Sequence, residues 1–270
     1  MAGRMELKGR TAIITGAASG IGRAIAHSLA RRGCHLALAD VNEAGLEETA
    51  RGAMSDVRMT RHRLDVGDAQ AIAAFPDVVR AEHSQVDLLV NNAGVALGGT
   101  FEQVSEADFD WLMSINFFGV VRMTRAFLPM LKTSDEARIV NISSIFGIIA
   151  PPGQTAYSAS KFAVRGFSEA LRKELQGTSI GVSVVHPGGV ATSIAKSARR
   201  SHSVPEAELA AAMANIEAKL KMPPTVAGEI IVKGIEQRKP RILVGNDAKF
   251  LAMVERVAPI SYWRLLQRMA

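Results

Sequence analysis

Short apolar segments alternate with stretches of helical spacing along this chain, and the alternation restricts the folds open to it. Seven segments rich in β-branched and apolar residues are predicted strands: 11–15, 34–39, 57–64, 86–90, 139–142, 180–186 and 242–244. Strands that are apolar throughout are typical of parallel sheets covered by helices on both faces. We therefore expect an α/β fold, a doubly wound sheet of seven parallel strands with helices on both faces.

About six helices are predicted between these strands. Ile21, Ile25 and Leu29 recur at four-residue spacing, and residues 69–83 and 154–176 also have helical patterns. Ser105, with Asp108 three residues later, is a predicted N-cap for a helix that runs through residue 131. No linker rich in Pro, Gly and Ser interrupts the pattern, so residues 1–270 are predicted to form a single domain.

Composition excludes several classes of protein. Of 270 residues, 48% are hydrophobic and 21% charged, which excludes a disordered chain. The lone cysteine, Cys34, excludes a disulfide and a cysteine-based zinc site, so we expect no metal and a reducing, cytoplasmic location. The net charge of +6 is scattered and aromatic residues make up 5%, so no nucleic-acid partner is expected. Apolar runs are too short for a membrane span, and no signal peptide is predicted.

A glycine-rich turn joins the first predicted strand to the first helix. Its sequence, Gly16-Ala17-Ala18-Ser19-Gly20-Ile21-Gly22, has the spacing G-x-x-x-G-x-G. Glycines at such a junction let backbone amides approach a pyrophosphate, and the helix N-terminus adds the positive end of its dipole. The turn is therefore predicted to hold a dinucleotide phosphate; a glycine-rich turn without a ligand is the alternative.

The second predicted strand is followed by an acidic residue, Asp40, 18 residues after Gly22. A carboxylate at about this position hydrogen-bonds an adenosine ribose and repels a 2′-phosphate. Val41 and Asn42 follow, so no cation is placed for that phosphate, and Ser19 adds no positive charge to the turn. These features favour NAD over NADP; a helix N-cap is the alternative role for Asp40.

One predicted helix carries Tyr157 and Lys161, which lie four residues apart and share a face. A phenol with its usual pKa near 10 is a poor base, but a neighbouring ammonium group lowers that pKa. The pair is thus suited to general acid/base chemistry near neutral pH. Ser144 follows the strand at 139–142, at the carboxyl edge where parallel strands face a ligand crevice. Ser144 and Tyr157 are therefore predicted to meet over a bound carbonyl.

Together, these motifs resemble those of the single-domain short-chain dehydrogenase/reductase family. The matches lie between residues 10 and about 192 in the family's order: 15–22, Asn91-Asn92-Ala93-Gly94, Asn116, Ser144, Tyr157 with Lys161, and Pro187-Gly188. The resemblance implies a Rossmann-like fold and hydride transfer between a substrate carbon and nicotinamide. It also implies that Tyr157 exchanges a proton with the substrate oxygen and that Ser144 holds this oxygen.

The resemblance implies further roles. Lys161 would bind the nicotinamide ribose and lower the pKa of Tyr157, and Asn116 would support a water linking Lys161 to solvent. Other implied cofactor positions are Val41 beside Asp40, the adenine-binding pair Asp65-Val66, the adenosine-side residues Asn92, Ala93 and Gly94, and the loop residues Pro187, Gly188, Val190 and Thr192. Gly189 departs mildly from the family pattern. A turn role for Asn91 and a buried structural amide for Asn116 remain open.

Two segments outside the motifs bear on the substrate. Residues 193–225 are a predicted substrate lid, in which Leu209, Met213, Ile216 and Leu220 form one stripe; packing on the domain is the alternative. Residues predicted to follow the catalytic strands are mostly apolar: Val95, Leu97, Ile145, Phe146 and Ile148. Apolar walls with few polar groups favour a lipid-like or steroid-like alcohol or ketone.

Residues 246–270 form an amphipathic C-terminal extension with Tyr262, Trp263, Arg256, Arg264 and Arg268 close together. It could contact a membrane surface, cap the substrate pocket, or pack on its own or a partner subunit. The resemblance implies a homodimer or homotetramer formed through the long helices at 105–131 and 154–176.

The sequence therefore predicts an NAD-dependent oxidoreductase that interconverts a secondary alcohol and a ketone or other carbonyl. An NADP-preferring carbonyl or ketoacyl reductase is one alternative, which Asp40 without a following cation argues against. A catalytically silent NAD-binding scaffold is the other, and the presence of Ser144, Tyr157, Lys161 and Asn116 together argues against it.

Overall fold

The computed structural model describes residues 3–53, 56–192, 194, 198–200 and 220–269. Seven parallel strands form its main sheet: β1 Thr11–Thr15, β2 His35–Asp40, β3 Met59–Arg63, β4 Leu88–Asn91, β6 Ala137–Ile142, β7 Ile180–Pro187 and β9 Arg241–Val244. A separate parallel pair consists of β5 Leu97–Gly98 and β8 Arg199–Arg200. The predicted seven-stranded sheet is confirmed, with strand ends within two residues of those predicted.

Nine α-helices occur in the described parts of the chain: α1 Gly20–Ala30, α2 Glu43–Gly52, α3 Ala69–Glu82, α4 Glu106–Met113, α5 Gly119–Lys132, α6 Thr155–Glu174, α7 Pro224–Glu236, α8 Asn246–Val257 and α9 Tyr262–Met269. The helix predicted from Ser105 is continuous but contains a π-helical turn, Ser114–Phe118, between α4 and α5. Ser105 is its N-cap, since its Oγ accepts a hydrogen bond from Asp108 N at 3.1 Å.

The main sheet has an apolar layer on each face because consecutive strand side chains point to opposite sides. Ile14 lies in the cluster beneath α1 and α7, whereas Ile13 lies in the cluster beneath α3 and α5. Both side chains are fully buried. This two-sided burial explains why inner strands such as β1 and β4 are mainly apolar, whereas the edge strand β3 is mostly polar and only partly buried. It confirms the doubly wound arrangement predicted from the sequence.

The strand order is β3-β2-β1-β4-β6-β7-β9, so the winding direction reverses between β1 and β4. In an open parallel sheet, a ligand crevice forms outside the carboxyl ends of the strands at such a reversal. The glycine turn after β1 and the segment after β4 therefore face each other. Cys34, predicted as the first residue of the second strand, lies just before β2 and is buried.

Helices α1 and α7 approach closely because Gly228 has no side chain. A Cβ placed on Gly228 would lie 2.6 Å from the backbone carbon of Ala24. At the rim of the same contact, Arg32 donates to Glu229 at 2.7 Å and to Glu236 at 2.8 Å. The hydrogen bonds from Arg32 hold the pKa of Glu229 at about 2. Glycine thus sets the helix spacing, and the ion pairs join the helices at their edge.

The predicted substrate lid is only partly covered by the described residues. Of residues 193–225, only 194, 198–200 and 220–225 are described, so most of the apolar stripe lies outside the described residues. In the regions that are described, no helix is long and apolar enough to cross a bilayer.

Replacing Gly228 with valine is expected to lower the free energy of unfolding by about 2–3 kcal/mol, since overpacking forces the two helix backbones apart. Thermal or urea unfolding measures this loss. The control is Val226→Ala on the same helix, where Val226 is 46% exposed and the expected change is within about 0.5 kcal/mol. Equal stability of Gly228→Val and the unmodified chain would contradict the proposed spacing role.

Candidate active site

The glycine turn is packed so tightly against its neighbours that side chains on Gly16 or Gly22 would clash with backbone atoms. Gly16 has φ 66°, and a Cβ there would lie 2.8 Å from Ala93 Cα. A Cβ on Gly22 would lie 2.0 Å from Gly16 O. Ser19, the N-cap of α1, makes no side-chain capping hydrogen bond. The first amides of α1 therefore lack a side-chain cap from Ser19, which suits a phosphate.

Asp40 joins the end of β2 to the glycine turn. Its carboxylate accepts hydrogen bonds from Ala18 N and Asn42 N, each at 3.0 Å. The N-cap of α2 is Asn42, which accepts from Gly45 N at 3.0 Å. The alternative role of Asp40 as an N-cap is therefore wrong. Its carboxylate lies beside the glycine turn, and the side chain of the next residue, Val41, is 57% exposed.

Two arginines near Asp40 were not identified from the sequence. Arg23 in α1 donates to Ala18 O and pairs with Glu48 at 2.8 Å. Arg63 pairs in register with Asp40 across the sheet, and its Nε lies 3.5 Å from Glu43. Both guanidinium groups have acidic partners. Helical spacing after Gly20 could have indicated Arg23, but Arg63 required knowledge of strand pairing.

The segment after β4 is hydrogen-bonded to the glycine turn. Asn92 Nδ2 donates to Thr15 O and Gly16 O at 3.0 Å, while the amides of Asn92 and Ala93 donate to Thr15 Oγ1 at 3.1 Å. Asn91 instead lies within β4, where its Nδ2 donates to buried Asn141 at 2.9 Å. The alternative of Asn91 as a turn residue is therefore wrong.

Asp65 and Val66 follow β3 near the same edge of the sheet. Asp65 is exposed and accepts a hydrogen bond from Gly67 N at 2.7 Å. Val66 is buried, and its carbonyl oxygen would lie 2.9 Å from a Cβ on Gly119. The structure thus leaves the Asp65 carboxylate open to solvent and packs Val66 against the start of α5.

Asn116 lies in the π-helical turn and is fully buried. Its Oδ1 accepts from Val95 N at 2.8 Å, and its Nδ2 donates to Val95 O at 3.0 Å and to Ser160 Oγ at 3.2 Å. Gly94 lies next to this amide: a Cβ there would be 3.1 Å from Asn116 Oδ1 and 3.4 Å from Lys161 Nζ. The side chains of Asn116 and Lys161 thus both lie against the position that a Cβ on Gly94 would occupy.

Lys161, Tyr157 and Ser144 converge at the carboxyl edge of the sheet. Lys161 Nζ donates to Ile142 O at 3.2 Å and lies 5.6 Å from the centre of the Tyr157 ring. Burial lowers the pKa of Lys161 to about 8. Burial also raises the pKa of Tyr157, and a hydrogen bond with Ser144 acts in the opposite direction. The three predicted side chains are therefore brought together at one position.

The loop after β7 returns to the glycine turn. Gly188 N donates to Val244 O at 2.9 Å, and Thr192 N donates to Val190 O at 2.9 Å. A Cβ on Gly20 would lie 3.2 Å from the Thr192 methyl group, while Val190 is buried. The residues predicted at this loop thus close the crevice opposite β1 and β4.

Asp247, in the first turn of α8, supports this loop and was missed by sequence reasoning. It accepts a hydrogen bond from Gly189 N at 2.6 Å. A Cβ on Gly188 would lie only 2.1 Å from its carboxylate, so Gly188 must lack a side chain. A lone acidic residue in a tail gives no local signal of such a contact.

The C-terminal helices pack on the segment that follows Ser144. Ile145, Ile148 and Ile149 form a cluster with Ala248, joined at its edge by Leu251 and Leu266. The Tyr262 hydroxyl accepts a hydrogen bond from Ala150 N at 3.0 Å. The extension therefore contacts its own subunit beside the candidate site.

The short β5–β8 pair anchors the beginning of the predicted lid beside Tyr157. Arg199 N donates to Ala96 O at 3.0 Å, and Arg199 Nη1 lies 2.9 Å from Asp108. Its guanidinium group stacks 4.5 Å from the centre of the Trp111 ring.

Comparison with known proteins agrees with this arrangement. The family model for short chain dehydrogenases matches residues 10–203. The chain is 40% identical over 266 residues to a Mycobacterium tuberculosis protein named "Putative oxidoreductase SadH", covering 97% of this chain and 95% of that one.

Two solved structures are also similar. A short chain dehydrogenase/reductase from Burkholderia phymatum in complex with NAD has a TM-score of 0.86 and 32% identity, covering 93% of this chain and 94% of that one. A metagenomic short-chain oxidoreductase in complex with NADP has a TM-score of 0.72 and 28% identity, covering 89% and 98%. The chain therefore belongs to the short-chain dehydrogenase family of oxidoreductases.

Proposed function

We propose that this protein is an NAD-dependent oxidoreductase that interconverts a secondary alcohol and a ketone or other carbonyl. The observation that carries the proposal is the convergence of Ser144, Tyr157 and Lys161 at the carboxyl edge of the sheet, beside a crevice whose glycines leave no room for a Cβ. A silent scaffold would have no use for a lysine ammonium held under a tyrosine ring in the protein interior, because burying that charge lowers stability.

The proposed proton transfer uses Tyr157 as the general acid or base. In alcohol oxidation, the phenolate accepts the hydroxyl proton of the substrate; in carbonyl reduction, the phenol returns a proton to the substrate oxygen. Ser144 would donate its hydroxyl hydrogen to that oxygen. The ammonium of Lys161, 5.6 Å from the ring centre, would stabilise the phenolate electrostatically, and the hydrogen bond with Ser144 lowers the pKa of Tyr157 against the effect of burial.

The crevice fits a nicotinamide dinucleotide because its walls approach without side chains at Gly16, Gly22 and Gly94. The glycine turn and the first amides of α1, at Gly20 and Ile21, would hold the pyrophosphate. Asp65, Val66, Asn92 and Ala93 would border the adenosine half, and Pro187, Gly188, Val190 and Thr192 the nicotinamide half. Bound there, the cofactor supplies the acceptor or donor of hydride.

The proposed preference for NAD rests on the position of Asp40. Its carboxylate lies beside the turn amide of Ala18, where a ribose would be hydrogen-bonded and a 2′-phosphate repelled. Arg23 and Arg63 are nearby, but each is already paired with a glutamate.

An apolar substrate is proposed from the surroundings of Tyr157. Phe146 packs edge-on to Tyr157 with ring centres 6.2 Å apart, and Val95 borders the same apolar cluster. Leu97, Ile145 and Ile148 are buried and support these residues from behind. Lipid-like or steroid-like alcohols and ketones would suit such walls better than sugars.

We also propose one domain over residues 1–270, a cytoplasmic location and a homodimer or homotetramer. Phe118 and Phe162, on the long helices expected at the subunit contact, are 45% and 38% exposed, which supports apolar association there. We also propose residues 193–225 as the substrate lid; most of them lie outside the described residues.

Replacing Tyr157 with phenylalanine should reduce kcat by at least about a hundredfold because the proton donor and acceptor is lost. Nicotinamide absorbance would be followed with a panel of alcohols and ketones. The matched control is Tyr262→Phe, which removes the other tyrosine hydroxyl of the chain and should retain most activity. Unchanged turnover in Tyr157→Phe would contradict the mechanism.

Replacing Asp40 with asparagine should shift the ratio of kcat/KM for NAD to that for NADP at least about tenfold towards NADP. The reason is that a like-charge repulsion worth more than about 1.4 kcal/mol is removed. Asp77→Asn is the control, since Asp77 pairs with Arg80 on the exposed face of α3. A ratio that moves equally in both variants would oppose the assignment of Asp40.

Replacing Lys161 with methionine should abolish activity yet raise the free energy of unfolding at pH 7 by about 1–2 kcal/mol. Burial lowers the pKa of Lys161 from 10.5 to about 8, so below pH 8 the folded chain carries a buried charge. In the unmodified chain this cost is relieved as pH rises from about 8 to 10.5, so the advantage of the variant should shrink there.

Unfolding measured at several pH values tests this, with exposed Lys132→Met as the control. A destabilised Lys161→Met variant at pH 7, or an advantage that grows above pH 8, would contradict the prediction.

A further inference from the structure

His186 is a fully buried imidazole on β7 to which the proposed mechanism assigns no role. Its Nδ1 lies 2.9 Å from Ser144 O. A carbonyl oxygen only accepts hydrogen bonds, so Nδ1 must carry the hydrogen. Nε2 is then a bare acceptor, and it has no hydrogen-bond partner among the described residues. The imidazole therefore makes one hydrogen bond, and that bond is made to Ser144.

Besides its side-chain hydrogen bond with Tyr157, Ser144 is held by three hydrogen bonds. Its carbonyl oxygen accepts a second hydrogen bond from Gly147 N at 2.9 Å, so both lone pairs are used. Its Oγ accepts from Phe146 N at 3.1 Å, which caps the short 3₁₀ helix Ile145–Gly147. Two of these bonds come from the segment that Ser144 itself begins. Among the described residues, only His186 links Ser144 O to a different element, the strand β7.

The imidazole stays neutral over the working range of an enzyme. Burial lowers the pKa of His186 to about 4, opposed by the hydrogen bond to Ser144. Arg241 and Arg165 lower this pKa further, and Glu169 raises it. The donor on Nδ1 is therefore present at any pH near neutrality, so the hydrogen bond to Ser144 O does not depend on pH in this range.

We propose that His186 is a positioning residue for Ser144: through Nδ1 it fixes the peptide plane after Ser144 and thereby aims the serine hydroxyl at the substrate oxygen. This inference rests on the proposed function. A bare buried acceptor lowers stability, and an aliphatic residue of similar size would avoid that cost. A histidine at this position thus brings a stability cost that packing alone does not require.

The test compares His186→Leu with His186→Asn. Leucine fills the space but cannot donate, whereas the asparagine amide places a donor close to the position of Nδ1. For His186→Leu we expect kcat to fall at least about tenfold, since a misplacement of about 1 Å can cost a hundredfold. In the same variant, the dissociation constant for NADH, measured by fluorescence, should be unchanged. The melting temperature should be unchanged or higher. His186→Asn should recover kcat to within about threefold.

Retention of wild-type kcat in folded His186→Leu would overturn the inference, as would equal losses in His186→Leu and His186→Asn. A weakened affinity for NADH without a fall in kcat would also overturn it. Ser144→Ala is assayed alongside: if that variant keeps full activity, the proposed function is wrong, whereas an inactive Ser144→Ala with a fully active His186→Leu refutes only the role of His186.

Discussion

The structure depends on backbone approaching backbone where the winding of the sheet reverses. Between β1 and β4 the turn containing Gly16 meets Ala93 with no room for a Cβ, and Asn92 ties the two segments with hydrogen bonds to Thr15 and Gly16. This close contact leaves the first amides of α1 facing the crevice. It also sets the position of Gly94, against which Asn116 and Lys161 are placed. The crevice and the acid/base residues thus share one geometric origin.

The same architecture places several buried polar or charged groups, each of which lowers the stability of the fold, at the candidate site. Lys161 is buried with one carbonyl acceptor, and the Tyr157 phenol beside it is also desolvated. His186 adds a buried imidazole nitrogen that has no hydrogen-bond partner in the part of the chain that the structure describes. Each group lowers stability where an apolar side chain would raise it, whereas the clusters around Ile13 and Ile14 on the two faces of the sheet are built from apolar side chains. The apolar clusters on the sheet stabilise the fold, and the buried polar groups at its carboxyl edge destabilise it, as expected of a site where polar groups are positioned for a proposed reaction.

Much of this arrangement could be predicted from the sequence because its signals are local. Strand–helix alternation predicts the sheet, the glycine spacing predicts the turn, and the i, i+4 spacing of Tyr157 and Lys161 predicts their shared face. The contacts of Asp247, His186 and Arg63 could not be predicted, since each depends on a partner distant in sequence. The π turn at Asn116 was also missed, because one extra residue in a helical turn hardly changes the apolar pattern. The two-residue strands β5 and β8 are too short to have a periodicity.

Because of the contact between Asp247 and Gly189, the loop after β7 depends on a residue that is synthesised later. The loop after β7 lies against a carboxylate that occurs 58 residues later in the chain. The glycine turn and the Tyr157 helix can pack as soon as their own strands are in place, but this loop lacks its support until α8 has been made. In a nascent chain this wall of the crevice is therefore completed late, and ribosome-bound intermediates that already contain Ser144, Tyr157 and Lys161 would still lack its support.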